Sequence, residues 1–214
     1  MANTSKINGF RPVKHLNGSP YNGQFNLYEI PAGDGTATMV GDLVKGDGTA
    51  NTQSAYPTAV RHGTSGEVTS GEALGAIIGF VPAVFASGSQ STVGAAPALD
   101  APNYRVASTK RLAMVADAPD LIFEVEDGGT VPCTWTLIGM NTGFLATAGS
   151  TTTGASGMTS GTTAPTTTAT LPLRIMGIVQ SPDNESATVA GQAYQKLLVM
   201  INTHRYGSVG TTGV

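Results

Sequence analysis

Short runs of alternating apolar and polar positions, closed off by Gly, Pro, Asp and Thr, recur along the chain. Each such run is a strand candidate. "QFNLYEI" (24–30) sets Phe25, Leu27 and Glu29 on one side and Asn26, Tyr28 and Ile30 on the other. "MVGDLVK" (39–45) sits between two near-copies of one turn, "GDGTAT" (33–38) and "GDGTAN" (46–51). Their Asp-Gly pairs favour hairpins, because Gly accepts positive φ at no steric cost. Further candidates are "EALGAIIGFVPAVF", "YRVASTKRLAMVA", "LIFEVE", "CTWTLIGM", "LRIMGIVQ" and "YQKLLVMINTHRY". In "LIFEVE", period two puts Leu121, Phe123 and Val125 on one face and Ile122, Glu124 and Glu126 on the other. The first face is expected in the core, with both glutamates turned to water or to a partner. In the last candidate Leu197, Val199 and Ile201 are expected inside and Lys196 outside. The pattern predicts an all-β fold: a single β-barrel or β-sandwich domain of roughly eight to ten short strands.

Three segments stand outside this pattern. Residues 1–22 carry Gly9, Pro12, Gly18 and Pro20 among polar neighbours and read as an extended N-terminal arm. Phe10, Arg11, Lys14, His15 and Tyr21 are threaded through it, residue types that suit an interface anchor. A strand or loop lying on the chain's own domain is an equal alternative. "TAGSTTTGASGMTSGTTAPTTTAT" (147–170) is low in complexity and is expected to form a long surface loop or a segment ordered by a neighbour. Residues 207–214 read as a flexible tail, which leaves 23–206 as the β-rich domain.

Composition narrows the function. Of 214 residues only 12% are charged, against 28 Gly and 12 Pro, poor material for long amphipathic helices. A net charge of -3 gives no basis for binding nucleic acid. The longest apolar run, Ala73 to Ala86, is shorter than the roughly 20 residues of a membrane span and is broken by Gly75, Gly79 and Pro82. The opening residues are polar throughout, which argues against an export leader. The single cysteine, Cys133, has no intrachain disulfide partner and reads as a small apolar filler.

The densest chemistry is "VADAPDLIFEVEDGG" (115–129), with Asp117, Asp120, Glu124, Glu126 and Asp127. Two carboxylates on one strand face stand at a separation that glycoside hydrolysis uses, but that reaction also needs a cleft that desolvates one of them. Aromatics make up only 6% of the chain, so an enclosing wall is not written into the sequence. The cluster therefore reads as a wet or partner-facing strand face. "GTSGE" and "GASGM" lack the closing Gly of a nucleophile elbow. His15, His62 and His204 lack metal-ligand spacing, and the Asp-Gly turns lack the further oxygen ligands of a calcium loop. No catalytic, cofactor or metal residues are predicted.

Four segments carry a resemblance: "GFRPVKHLNGSPYNGQ", "VADAPDLIFEVE", "LRIMGIVQSPDN" and "YQKLLVMINTHRY". Together they resemble a family of tailed-bacteriophage virion proteins that includes head decoration, or cement, proteins. The resemblance runs in patches over most of the chain except the Thr-rich tract. It implies a β-rich domain without cofactor, made in the host cytoplasm and placed on the capsid surface of the virion. The implied partners are the major capsid protein and the chain itself, as a homotrimer. A tail or fibre component is the nearest alternative. A β-sandwich hydrolase using Glu124 or Glu126, or a carbohydrate-binding module, stands further off.

Overall fold

The computed structural model describes residues 3–48, 56–81, 101–128, 133–184, 193–207 and 210–213. Among them the strands run β1 (Arg11–His15), β2 (Asn26–Ile30), β3 (Leu43–Gly46), β4 (Ala59–Arg61), β5 (Glu67–Val68), β6 (Gly75–Phe80), β7 (Arg111–Ala116), β8 (Leu121–Glu126), β9 (Asn141–Thr142), β10 (Phe144–Leu145), β11 (Thr159–Ser160), β12 (Leu173–Ile178) and β13 (Lys196–Ile201). They form three antiparallel sheets, ordered β1-β8-β13-β12-β9, β2-β7-β6-β3-β4 and β11-β10-β5. The fold is all-β, as the alternation predicts, and has more strands than expected because several are only two residues long.

The two five-stranded sheets share the main core. Leu121, Phe123 and Val125 of β8, Leu197, Val199 and Ile201 of β13, and Leu173, Ile175 and Ile178 of β12 pack with Leu43 and Ala76 of the second sheet. Period two accounts for this: β13 is buried at every second position, and Lys196 lies on its other face. The second sheet also buries its opposite face, where Tyr28, Ile30, Val44, Ile77 and Val115 form a separate cluster. A strand buried on both sides reads as a continuous apolar run, which is why "LGAIIGF" shows no alternation. A register shift between Ile77 and Gly79 lets β6 change faces along its length.

Several expectations are corrected. "CTWTLIGM" is no strand: Trp135–Leu137 is a single 3₁₀ turn, followed by Gly139 at φ 92°. The last four residues of "EALGAIIGFVPAVF", 82–85, lie outside the described residues, as do 49–51 of the second Asp-Gly turn. The N-terminal segment does not stand off the domain. Residues 11–15 are edge strand β1, antiparallel to β8, and Pro12 is tolerated there because an edge position has no ladder hydrogen bond to lose on its open side. The Thr-rich tract is not only surface: it supplies β11 and buries Ser156, Met158, Thr159 and Ser160. The described tail residues are tied down, since Gly210 N–H donates to Asn202 O and Gly213 N–H to Thr167 O.

Candidate functional site

Where β1 leaves the N-terminal segment, the chain crosses from one large sheet to the other at very short range. Phe10 N–H donates to Gly41 O at 2.8 Å. Gly9 (φ 69°) and Gly41 (φ 91°) make the crossing possible, because a Cβ on Gly9 would lie 2.4 Å from Gly41 O and one on Gly41 would lie 2.4 Å from Asn8 O. Beside this crossing opens a cleft of about 760 Å³. Its lining comes from Lys6 and Asn8–Pro12, from Asn103 and Thr153–Ala155, and from Ile77 and Ile78. Glu124, Glu126 and Lys196 line its charged end. The arm, the acidic strand and the Thr-rich tract, far apart in sequence, thus meet at one place.

The predicted site residues divide sharply by environment. Phe10 is 1% exposed and packs edge-to-face on Phe144, with ring centroids 6.1 Å apart at 88°. It belongs to this chain's own core and is unavailable as an anchor on another chain. Arg11 has a 70% exposed side chain, and its Nη2 donates to both carboxylate oxygens of Glu124 at 3.1 Å. Lys14 is half-buried and bridges to Pro20. His15 Nδ1 faces Asp120 Oδ1 at 3.1 Å. Tyr21 packs against the core and its hydroxyl donates to Gln24 O.

Glu126 corrects the strand-face expectation. It is 6% exposed, its Oε1 accepts from Ser5 Oγ at 2.7 Å and its Oε2 accepts from Lys6 N–H at 2.5 Å. The two glutamates therefore hold down the N-terminal segment of the same chain. The other three acids in 115–129 are engaged as well. Asp117 accepts from Tyr28 and Asn26, Asp120 faces His15, and Asp127 accepts from Tyr194 N–H at 2.9 Å. The acidic stretch is a set of clamps: Asp120, Glu124 and Glu126 hold the N-terminal segment, Asp117 holds β2, and Asp127 holds the entry to β13.

Two further buried polar groups that hold loops of the fold in place are not marked in the sequence. Asp42, fully buried, accepts from Arg61 Nε at 2.9 Å, from Met39 N–H at 2.9 Å and from Ser156 Oγ at 2.5 Å. This ties the Thr-rich tract to the loop after the first Asp-Gly turn. Arg105 is also fully buried and donates to four carbonyls, of Pro31, Asp34, Thr36 and Thr109. Buried charge survives only when fully hydrogen-bonded, and both groups meet that condition.

Two further titratable groups have pKa values shifted by burial. Burial, with Lys45 nearby, pushes His62 down to about 4, and burial raises the Cys133 thiol to about 11. A thiol held that high is a core filler, not a nucleophile. Among the described residues no group of three or more His, Cys, Asp or Glu side chains is placed to hold a metal ion.

By architecture the chain belongs to the all-β proteins built on antiparallel sheets packed face to face. No family model, curated protein or solved structure matches it.

Proposed function

We propose that this is a structural protein of a tailed-phage virion, a head decoration protein that binds the outer capsid surface as a homotrimer and ties adjacent major capsid protein subunits together. One observation carries the reading. The four segments that resemble such proteins contain β1, β8, β12 and β13, and these are four adjacent strands of a single sheet, in the order β1-β8-β13-β12. Segments scattered over most of the sequence thus make one continuous unit. The cleft beside β1 is the contact surface in this reading: it includes the start of edge strand β1, and an edge strand suits pairing with an extended segment of a neighbouring subunit. Its rim carries Arg11 and Lys196 for orientation. A hydrolase built on Glu124 or Glu126 is disfavoured, because their oxygens are engaged by Arg11, Ser5 and Lys6.

The test is binding to expanded capsids that lack the protein, followed by imaging of the decorated particles. Density for the protein on the head exterior is expected, with binding weakened by Arg11→Glu and Lys196→Glu at unchanged fold. Density confined to the tail would make the tail-component alternative the correct one. Failure of the pure protein to bind any capsid would remove the decoration reading.

A further inference from the structure

A second cavity, of about 580 Å³, is lined by residues of the N-terminal segment, of β2 and of the turn after β7, and the capsid reading does not use it. Asp117 lines it. That carboxylate accepts from Tyr28 Oη at 2.6 Å and from Asn26 Nδ2 at 2.9 and 3.1 Å. All three bonds come from neutral donors, and among the described residues no Lys or Arg forms an ion pair with Asp117. The rim is aromatic. Phe25 is 45% exposed and Tyr206 is 58% exposed, so both rings are open to a ligand.

The rim is also built in place. Gly207 follows Tyr206 directly, and a Cβ there would come within 3.0 Å of Pro119 Cβ, so the Tyr206 turn sits tightly on the turn that carries Asp117. Tyr206 N–H donates to His204 Nδ1 at 3.0 Å, which fixes the turn from behind. His204 does not neutralise the site, since burial lowers its pKa below the ordinary value. Burial and the nearby carboxylate together raise the pKa of Tyr21 and of Tyr28, so both remain neutral. Asp120, on the same turn, faces His15, which also lines the cavity.

A carboxylate without a cationic partner, set among exposed aromatic faces, is the arrangement that recognises an organic cation. Its charge attracts the ligand, and the ring faces add cation–π attraction. A neutral sugar would also meet aromatic faces, but would leave the carboxylate's charge uncompensated. We infer that the pocket formed by Asp117, Tyr28, Asn26, Phe25 and Tyr206 binds a lysine or arginine side chain presented by another polypeptide. The inference stands whether or not the protein decorates capsids.

The experiment is an NMR titration of the full chain with N-acetyl-lysine methylamide and with N-acetyl-arginine methylamide. Controls are N-acetyl-norleucine methylamide, methyl glucoside and tetramethylammonium. Saturable shifts are expected in the Asn26 side-chain amide and the Tyr206 ring with at least one of the cationic derivatives, weakening as salt is added. Tyr206→Ala should weaken binding by roughly threefold to thirtyfold, the range of a cation–π contact. Asp117→Asn should remove binding. Because that variant also touches Tyr28, Phe25→Ala, at an exposed position, provides a second check with a loss comparable to Tyr206→Ala. Equal binding of norleucine or glucoside derivatives, or no saturable shift with either cationic derivative, would overturn the inference. So would tighter binding of tetramethylammonium, which would make the site one for small free cations.

Discussion

Replacing Phe10 by Ala distinguishes a strand built into the core from an arm that orders only against another chain. Phe10 is 1% exposed, with its ring edge-on to Phe144 at a centroid distance of 6.1 Å. Phe-to-Ala changes at such sites cost about 3–5 kcal/mol through lost transfer energy and the cavity left behind. The aromatic pair accounts for about 0.5–1.5 kcal/mol beyond the buried area. Its neighbour is the control. Arg11→Ala breaks a pair whose arginine side chain is 70% exposed, and should cost less than about 1 kcal/mol. Urea unfolding followed by far-UV circular dichroism reads both variants, and avoids relying on the single, half-exposed Trp135. With an m-value of about 1–3 kcal/mol/M, Phe10→Ala should lower the midpoint by about 1 M or more. Deleting residues 2–20 removes both Phe10 and the whole of β1, so it should destabilise the domain by more than the point substitution does. A Phe10→Ala midpoint matching that of Arg11→Ala, or a truncated chain with wild-type stability, would refute the placement of Phe10 in the core.

Three other outcomes follow from the same geometry. His62 has a folded pKa near 4 against 6.5 unfolded, so the unfolded chain takes up its proton first as pH falls. Stability should therefore drop between about pH 6.5 and pH 4, by about 3 kcal/mol from this group, and His204, shifted the same way, adds to the fall. A His62→Leu variant should lose its share of that slope, and an unchanged pH profile would contradict the assignment. Gly9→Ala places a methyl group 2.4 Å from Gly41 O at a φ of 69° and should cost more than about 1 kcal/mol, read as a lower thermal midpoint. Arg61→Met leaves Asp42 buried without its cation and should cost about 3–5 kcal/mol in denaturant unfolding, whereas a nearly neutral change would show that Ser156 and Met39 suffice to hold the carboxylate.

Local geometry and the fold class are legible in the amino-acid pattern alone. A period of two is a property of the extended backbone, so the inward set Leu197, Val199, Ile201 and the core face Leu121, Phe123, Val125 could be read from spacing alone. Periodicity says which face a side chain occupies but not what lies opposite. Glu124 and Glu126 share a face as expected, yet whether that face meets water or the chain's own N-terminus depends on contacts about 110–120 residues apart, which the pattern does not encode. Phe10 shows the same limit. Its Gly- and Pro-rich surroundings are those of an arm, and only the pairing of β1 with β8 and the close passage at Gly41 put it in the core. Buried polar groups were the least legible. Asp42 and Arg105 look like surface residues in any local window, because the carbonyls, hydroxyl and guanidinium that satisfy them are brought together by the tertiary fold.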